Sequence, residues 1–194
     1  MNYLISALII TLIIPIWGLL IYFLNKLLYI LLSKISSEKV AMTVVNYLTI
    51  PGVIHHELSH AALALLTGAI VTEFKPFWPD KTSGSLGHVN FSTRGSLFTR
   101  CLQCTFTSTA PVILGTLSSI LLFAYAANNT VPFYILVPMI YLIFSIIIHA
   151  SMSFADVKIM LKGIWALFIA AYIICLYFQI DFLNVIRLHL IAQL

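Results

Sequence analysis

His56, Glu57 and His60 stand in the run His56-Glu57-Leu58-Ser59-His60. On a helix, residues four apart lie one turn apart on the same side, so both imidazoles can reach a single cation. Glu57 adjoins the first histidine and can hold and deprotonate a water without itself binding the metal. A zinc ion at such a pair lowers the pKa of a bound water towards about 7 and polarises a carbonyl, so the spacing points to metal-assisted hydrolysis. Chance explains it poorly. With six His and three Glu in 194 residues, a random HExxH arises with a probability of roughly 0.3%. His55 adds a third imidazole, about 100° further round the helix, and is read as a supporting or interfacial group. Ionisable side chains crowded into an apolar helix are costly and point to function.

A zinc site of this kind takes a third protein ligand. The candidates are Glu73, Asp80, His88, His149 and Asp156. Asp156 is preferred, because it directly follows an apolar segment that can pack on the histidine helix. Ser153-Phe154-Ala155-Asp156 also has capping-box spacing, so Asp156 has a second possible role at a helix start. His149 lies seven residues earlier, on the same face if the helix continues. It is either a substrate-side or supporting group, or the ligand in place of Asp156. His88 reads as a loop histidine. Cys101 and Cys104 have CxxC spacing but no second pair, and are read as ordinary helix cysteines.

The elements that position these residues must be mostly lipid-facing. The chain is 61% hydrophobic and 8% charged, against about half and a quarter for soluble domains. The expectation is an all-α polytopic membrane protein of about five transmembrane helices, near 3–24, 40–67, 102–126, 131–151 and 163–180. Pro51 kinks the second of these or opens a new helix at its first turn. Residues 68–100 form the long non-spanning stretch. Alternation in 69–74 and 86–92, around the turn-rich 77–84, predicts a small hairpin. The tail 181–194 is expected to lie in the membrane interface. The first apolar run has no basic residue before it and is too long for a cleaved leader, so it reads as a retained span.

The net charge of +4 is scattered between apolar runs, which speaks for orientation signals and against nucleic acid. Lys75, Lys81, Arg94, Arg100, Lys158 and Lys162 fall on one face, and Lys26, Lys34, Lys39 and Arg187 on the other. The balance leans towards the first face as cytoplasmic. His60 and Asp156 are both expected to approach that face.

Ile54-His55-His56-Glu57-Leu58-Ser59-His60-Ala61-Ala62, followed by Leu66-Thr67-Gly68-Ala69, resembles the site-2 protease family of intramembrane metallopeptidases. The resemblance implies one membrane-embedded metallopeptidase domain over 1–194, with a sheet after the HExxH helix and an aspartate from a later span as third ligand. It implies zinc on His56, His60 and Asp156, with Glu57 as general base. It further implies a protein or peptide substrate anchored in the membrane, and the inner membrane of a bacterial cell. The family's Asn-Pro-Asp-Gly-like run is missing here; Asp156 sits in Ser151-Met152-Ser153-Phe154-Ala155-Asp156-Val157-Lys158. A PDZ-sized insertion is missing too, as in a small, divergent member. Two rival readings follow from the same residues. One is a membrane zinc peptidase that trims peptides at the bilayer surface. The other is a non-proteolytic zinc-binding scaffold or transporter, which would have no need of Glu57.

Overall fold

The computed structural model describes residues 2–80 and 86–184. Lys81 and residues 185–194 of the expected interfacial tail lie outside the described residues. Helix α1 runs unbroken over Tyr3–Ile35 for 33 residues, past the expected span 3–24 and through the continuation towards Leu32 that the sequence allows. The expected span 40–67 is divided into α2 (Glu38–Met42), a π-helical turn (Thr43–Tyr47) and α3 (Ile50–Leu66). Pro51 is the cause: without an N–H it fits the first turn of a new helix and cannot continue an old one.

At that break Gly52 N donates to Thr49 O at 3.0 Å, and main-chain groups there gain further partners from α5 (Phe133–His149). Ser145 Oγ accepts from Gly52 N (2.8 Å) and donates to Thr49 O (3.0 Å). Tyr141 donates its hydroxyl to Leu48 O at 2.7 Å. The approach requires a glycine, since a Cβ on Gly52 would fall 1.9 Å from the Ser145 carbonyl oxygen. Gly52→Ala is therefore expected to push α3 off α5 at a cost of about 1–3 kcal/mol. The measurement is the thermal midpoint in detergent, and an unchanged midpoint contradicts this packing.

After α3, strands β1 (Ile70–Lys75) and β2 (His88–Ser92) form the expected hairpin, antiparallel and with a bulge between Val71 and Glu73. Then come α4 (Leu97–Asn128), α5, α6 (Phe154–Leu161) and α7 (Ile164–Tyr177). Helices α1 and α4 are each long and apolar enough to cross a bilayer, and α5 with α6, bent by 57°, makes a third candidate. This is the composition of an all-α membrane protein with a small two-stranded sheet.

The helix directions depart from five alternating spans. Helix α1 lies parallel to α4: Ile10 and Thr11 share a crevice with Thr105 and Thr109, and further along Trp17 donates to Thr116 Oγ1 at 3.3 Å. Helix α7 runs against α1, with Ile164 near Ile14, Cys175 on Ala7 and the Phe182 N–H on Ser6 Oγ. Five alternating crossings would make α1 and α7 parallel. The reason is the short α6: eight residues between two tight bends do not turn the chain round. At 14 residues, α7 is roughly 21 Å long, less than a hydrocarbon core of about 30 Å.

Helix α5 ends at His149, so the condition for His149 and Asp156 to share one helix face, a helix continuing past 149, is not met. The bend at 150–153 is seated between α1 and α4. Met152 is fully buried against Val112, and its N–H donates to Gly18 O at 3.2 Å. A Cβ on Gly18 would meet Val112 at 2.5 Å, and one on Gly115 would meet Ala150 at 2.6 Å. Two glycines thus let the bend sink into the bundle and fix where α6 starts.

Candidate metal centre

His56 and His60 face one another from successive turns of α3, with their Nε2 atoms 3.1 Å apart. Asp156, from the first turn of α6, places Oδ1 3.4 Å from His60 Nε2. The three ligand atoms of His56, His60 and Asp156 all lie within 4.8 Å of one another. Asp156 caps α6 and also faces the two histidines. Its Oδ2 accepts from Ser153 N (2.9 Å) and Ser153 Oγ (2.6 Å), closing a capping box, while Oδ1 is turned to the imidazoles.

The far side of each ring explains the near side. His60 Nδ1 is 2.7 Å from the Thr107 carbonyl, and His56 Nδ1 is 2.7 Å from the His149 carbonyl. Carbonyls only accept, so both Nδ1 atoms carry hydrogen, and on the neutral rings both Nε2 atoms present lone pairs. The two carbonyls are ones their own helices leave unpaired. Thr107 lies four residues before Pro111, which has no N–H to give it. His149 is the last residue of α5, where carbonyls have no intrahelical donor. Two lone pairs and a carboxylate oxygen converging in a buried spot repel one another unless a cation lies between them. Hydrogen bonds from the outer nitrogens of ligating histidines are the usual means of fixing that arrangement. The donor set therefore fits a divalent metal that accepts nitrogen and oxygen ligands, zinc among them.

Glu57 is buried beside this set, at 8% exposure, and among the described residues its carboxylate has no hydrogen-bond donor. It lines a cavity of about 480 Å³ together with His56, His60 and Asp156. The lead-in to β2 closes over it: a Cβ on Gly87 would come within 2.9 Å of Glu57 Cγ and 2.8 Å of the Lys75 and Pro76 carbonyls. The arrangement could hold a cation beside the Glu57 carboxylate, at the edge of a cavity of about 480 Å³.

The other candidates lie elsewhere. Glu73 is bound to Lys75 (2.7 Å), His88 (3.3 Å) and Asn90 (2.8 Å), on the hairpin outside the helices. Hydrogen bonds from Lys75, then His88 and Asn90, hold its carboxyl down at about 2. His88 borders the cavity with its Nε2 engaged by Glu73. The His149 ring is turned to Thr49 Oγ1 at 2.8 Å, so its contribution to the cluster is its carbonyl. His55 meets Ser118 Oγ at 3.0 Å and is not among the clustered donors. Asp80 is not among the clustered donors. The cysteines are free thiols, with Cys101 Sγ donating to Lys162 O at 3.4 Å. Sequence reading missed Gly87 and the Thr107 carbonyl. Their signals were a glycine at the start of a strand, which marks close backbone approach, and a proline four residues after a carbonyl in an apolar helix.

No protein-family model, curated protein or solved structure matches this chain.

Proposed function

We propose that the chain is a membrane-embedded, zinc-dependent peptidase of the site-2 protease kind. The observation that carries this reading is the convergence of two Nε2 lone pairs and one Asp156 oxygen beside an unengaged Glu57. Zinc bound there supplies Lewis acidity towards a peptide carbonyl and lowers the pKa of water. His56, His60 and Asp156 hold it. Glu57 accepts the water's proton and returns it to the leaving amine. The freedom of Glu57 favours this over a zinc-binding scaffold or a transporter, neither of which needs an idle carboxylate at the cluster.

The substrate is a peptide segment within or beside the bilayer. A helix keeps its carbonyls bonded internally and must open before attack. The outer edge of β2, which borders the cavity through Val89, Asn90 and Phe91, can hold the opened segment by strand addition. The chain crosses the membrane four times in this reading, the last along the broken path α5–α6–α7, and its setting is a bacterial inner membrane.

The test is zinc content, with cleavage of an apolar peptide in detergent micelles, for wild type and for His56→Ala, His60→Ala and Asp156→Ala. Stoichiometric zinc and chelator-sensitive cleavage in wild type alone are expected. Zinc no higher in wild type than in His56→Ala, or zinc-loaded protein that cleaves no peptide, refutes the proposal.

A further inference from the structure

His149 meets the centre through its carbonyl, but its ring takes no part in the donor set. The Thr49 hydroxyl has one hydrogen, and that goes to Val45 O at 2.5 Å. His149 Nε2, 2.8 Å from the same hydroxyl oxygen, must then be a donor. On the neutral ring this leaves Nδ1 as a lone pair. The Nε2–Cδ2 edge is packed on the start of α3: a Cβ on Gly52 would lie 2.8 Å from His149 Cδ2. The Nδ1–Cε1 edge is directed the other way. His149 lines the same cavity as Glu57, and among the described residues Nδ1 has no donor. Asn25 Oδ1, a further unpartnered acceptor on a cavity residue, is sealed from solvent.

An extended peptide in this cavity has a matching need. Its N–H groups point alternately to the two sides, so a chain paired with the β2 edge turns the others away from β2. Within a membrane protein an unpaired N–H is costly. We propose that His149 Nδ1 accepts one main-chain N–H of the bound peptide and so sets which residue lies over the zinc site. His149 is on this view a substrate-positioning residue, and the assignment rests on the peptidase reading above.

The test uses zinc-loaded Glu57→Gln protein, which binds without turnover, and labelled apolar peptides in which one amide at a time is replaced by an ester. Esters at the positions paired with β2 weaken binding in every variant, and one ester position facing away from β2 should weaken it roughly five- to tenfold. In Glu57→Gln/His149→Phe that sensitivity should vanish at unchanged zinc content. Thr49→Val in place of His149→Phe removes the group that fixes the tautomer and should reduce the same sensitivity without touching the ring. An effect at the position facing away from β2 that survives both changes, or none at any such position, overturns the assignment. Wild-type cleavage of the parent peptide is measured alongside. Its absence overturns the peptidase reading and this inference with it, whereas cleavage without a His149-linked ester effect overturns the inference alone.

Discussion

On the peptidase reading, Glu57→Gln protein is expected to keep its zinc and to lose turnover by a factor on the order of 10²–10⁴, the usual contribution of a general base. The substitution is nearly isosteric, so the space beneath Gly87, where a Cβ would lie 2.9 Å from Glu57 Cγ, stays filled. Glu57 is not one of the three clustered donors, His56, His60 and Asp156, so the metal does not depend on it. What Gln lacks is the ability to accept a proton. Metal analysis and peptide hydrolysis on the same preparation check both halves. Activity within a few-fold of wild type would exclude Glu57 as the base, and loss of zinc would show that Glu57 helps to hold it.

Pro111→Ala separates two quantities that usually move together. An alanine restores an N–H in α4 that can reach Thr107 O, and it is the better helix former by up to about 3 kcal/mol. The metal-free protein should therefore melt higher. The same N–H competes for the carbonyl that accepts His60 Nδ1 at 2.7 Å. Groups that orient ligating histidines in this way typically account for about 10–100-fold in metal affinity, and a loss of that size is expected in competition with a chelator. Pro15→Ala is the control, because Thr11, four residues before it, lines a crevice between α1 and α4 that holds no histidine. Unchanged zinc affinity in Pro111→Ala would refute the role given to this carbonyl.

The histidine helix, the hairpin and the lipid-facing class of the chain were legible because each rests on a local pattern: spacing of four, alternation, and long apolar runs. Asp156 was legible as one candidate among five, and its two oxygens reconcile readings that looked like alternatives in one dimension. Three features were not legible. The direction of α7 depends on how little α6 turns the chain, which hydropathy does not encode. The end of α5 at His149 follows from tertiary seating of the bend under Gly18 and Gly115. The tautomers of His56 and His60 depend on main-chain carbonyls, and carbonyls have no letter in a sequence.

The forked bonding of Asp156 bears on how this chain can drift. A helix start after Ser153 accepts Glu as well as Asp three residues on, and Asn can receive the same main-chain hydrogen. As far as folding goes, position 156 is permissive. The oxygen 3.4 Å from His60 is not: one more methylene displaces it, and an amide removes its charge. On the peptidase reading, lineages that abandoned hydrolysis would keep a capping residue there and vary its identity, whereas those still under selection for it would be held to aspartate alone.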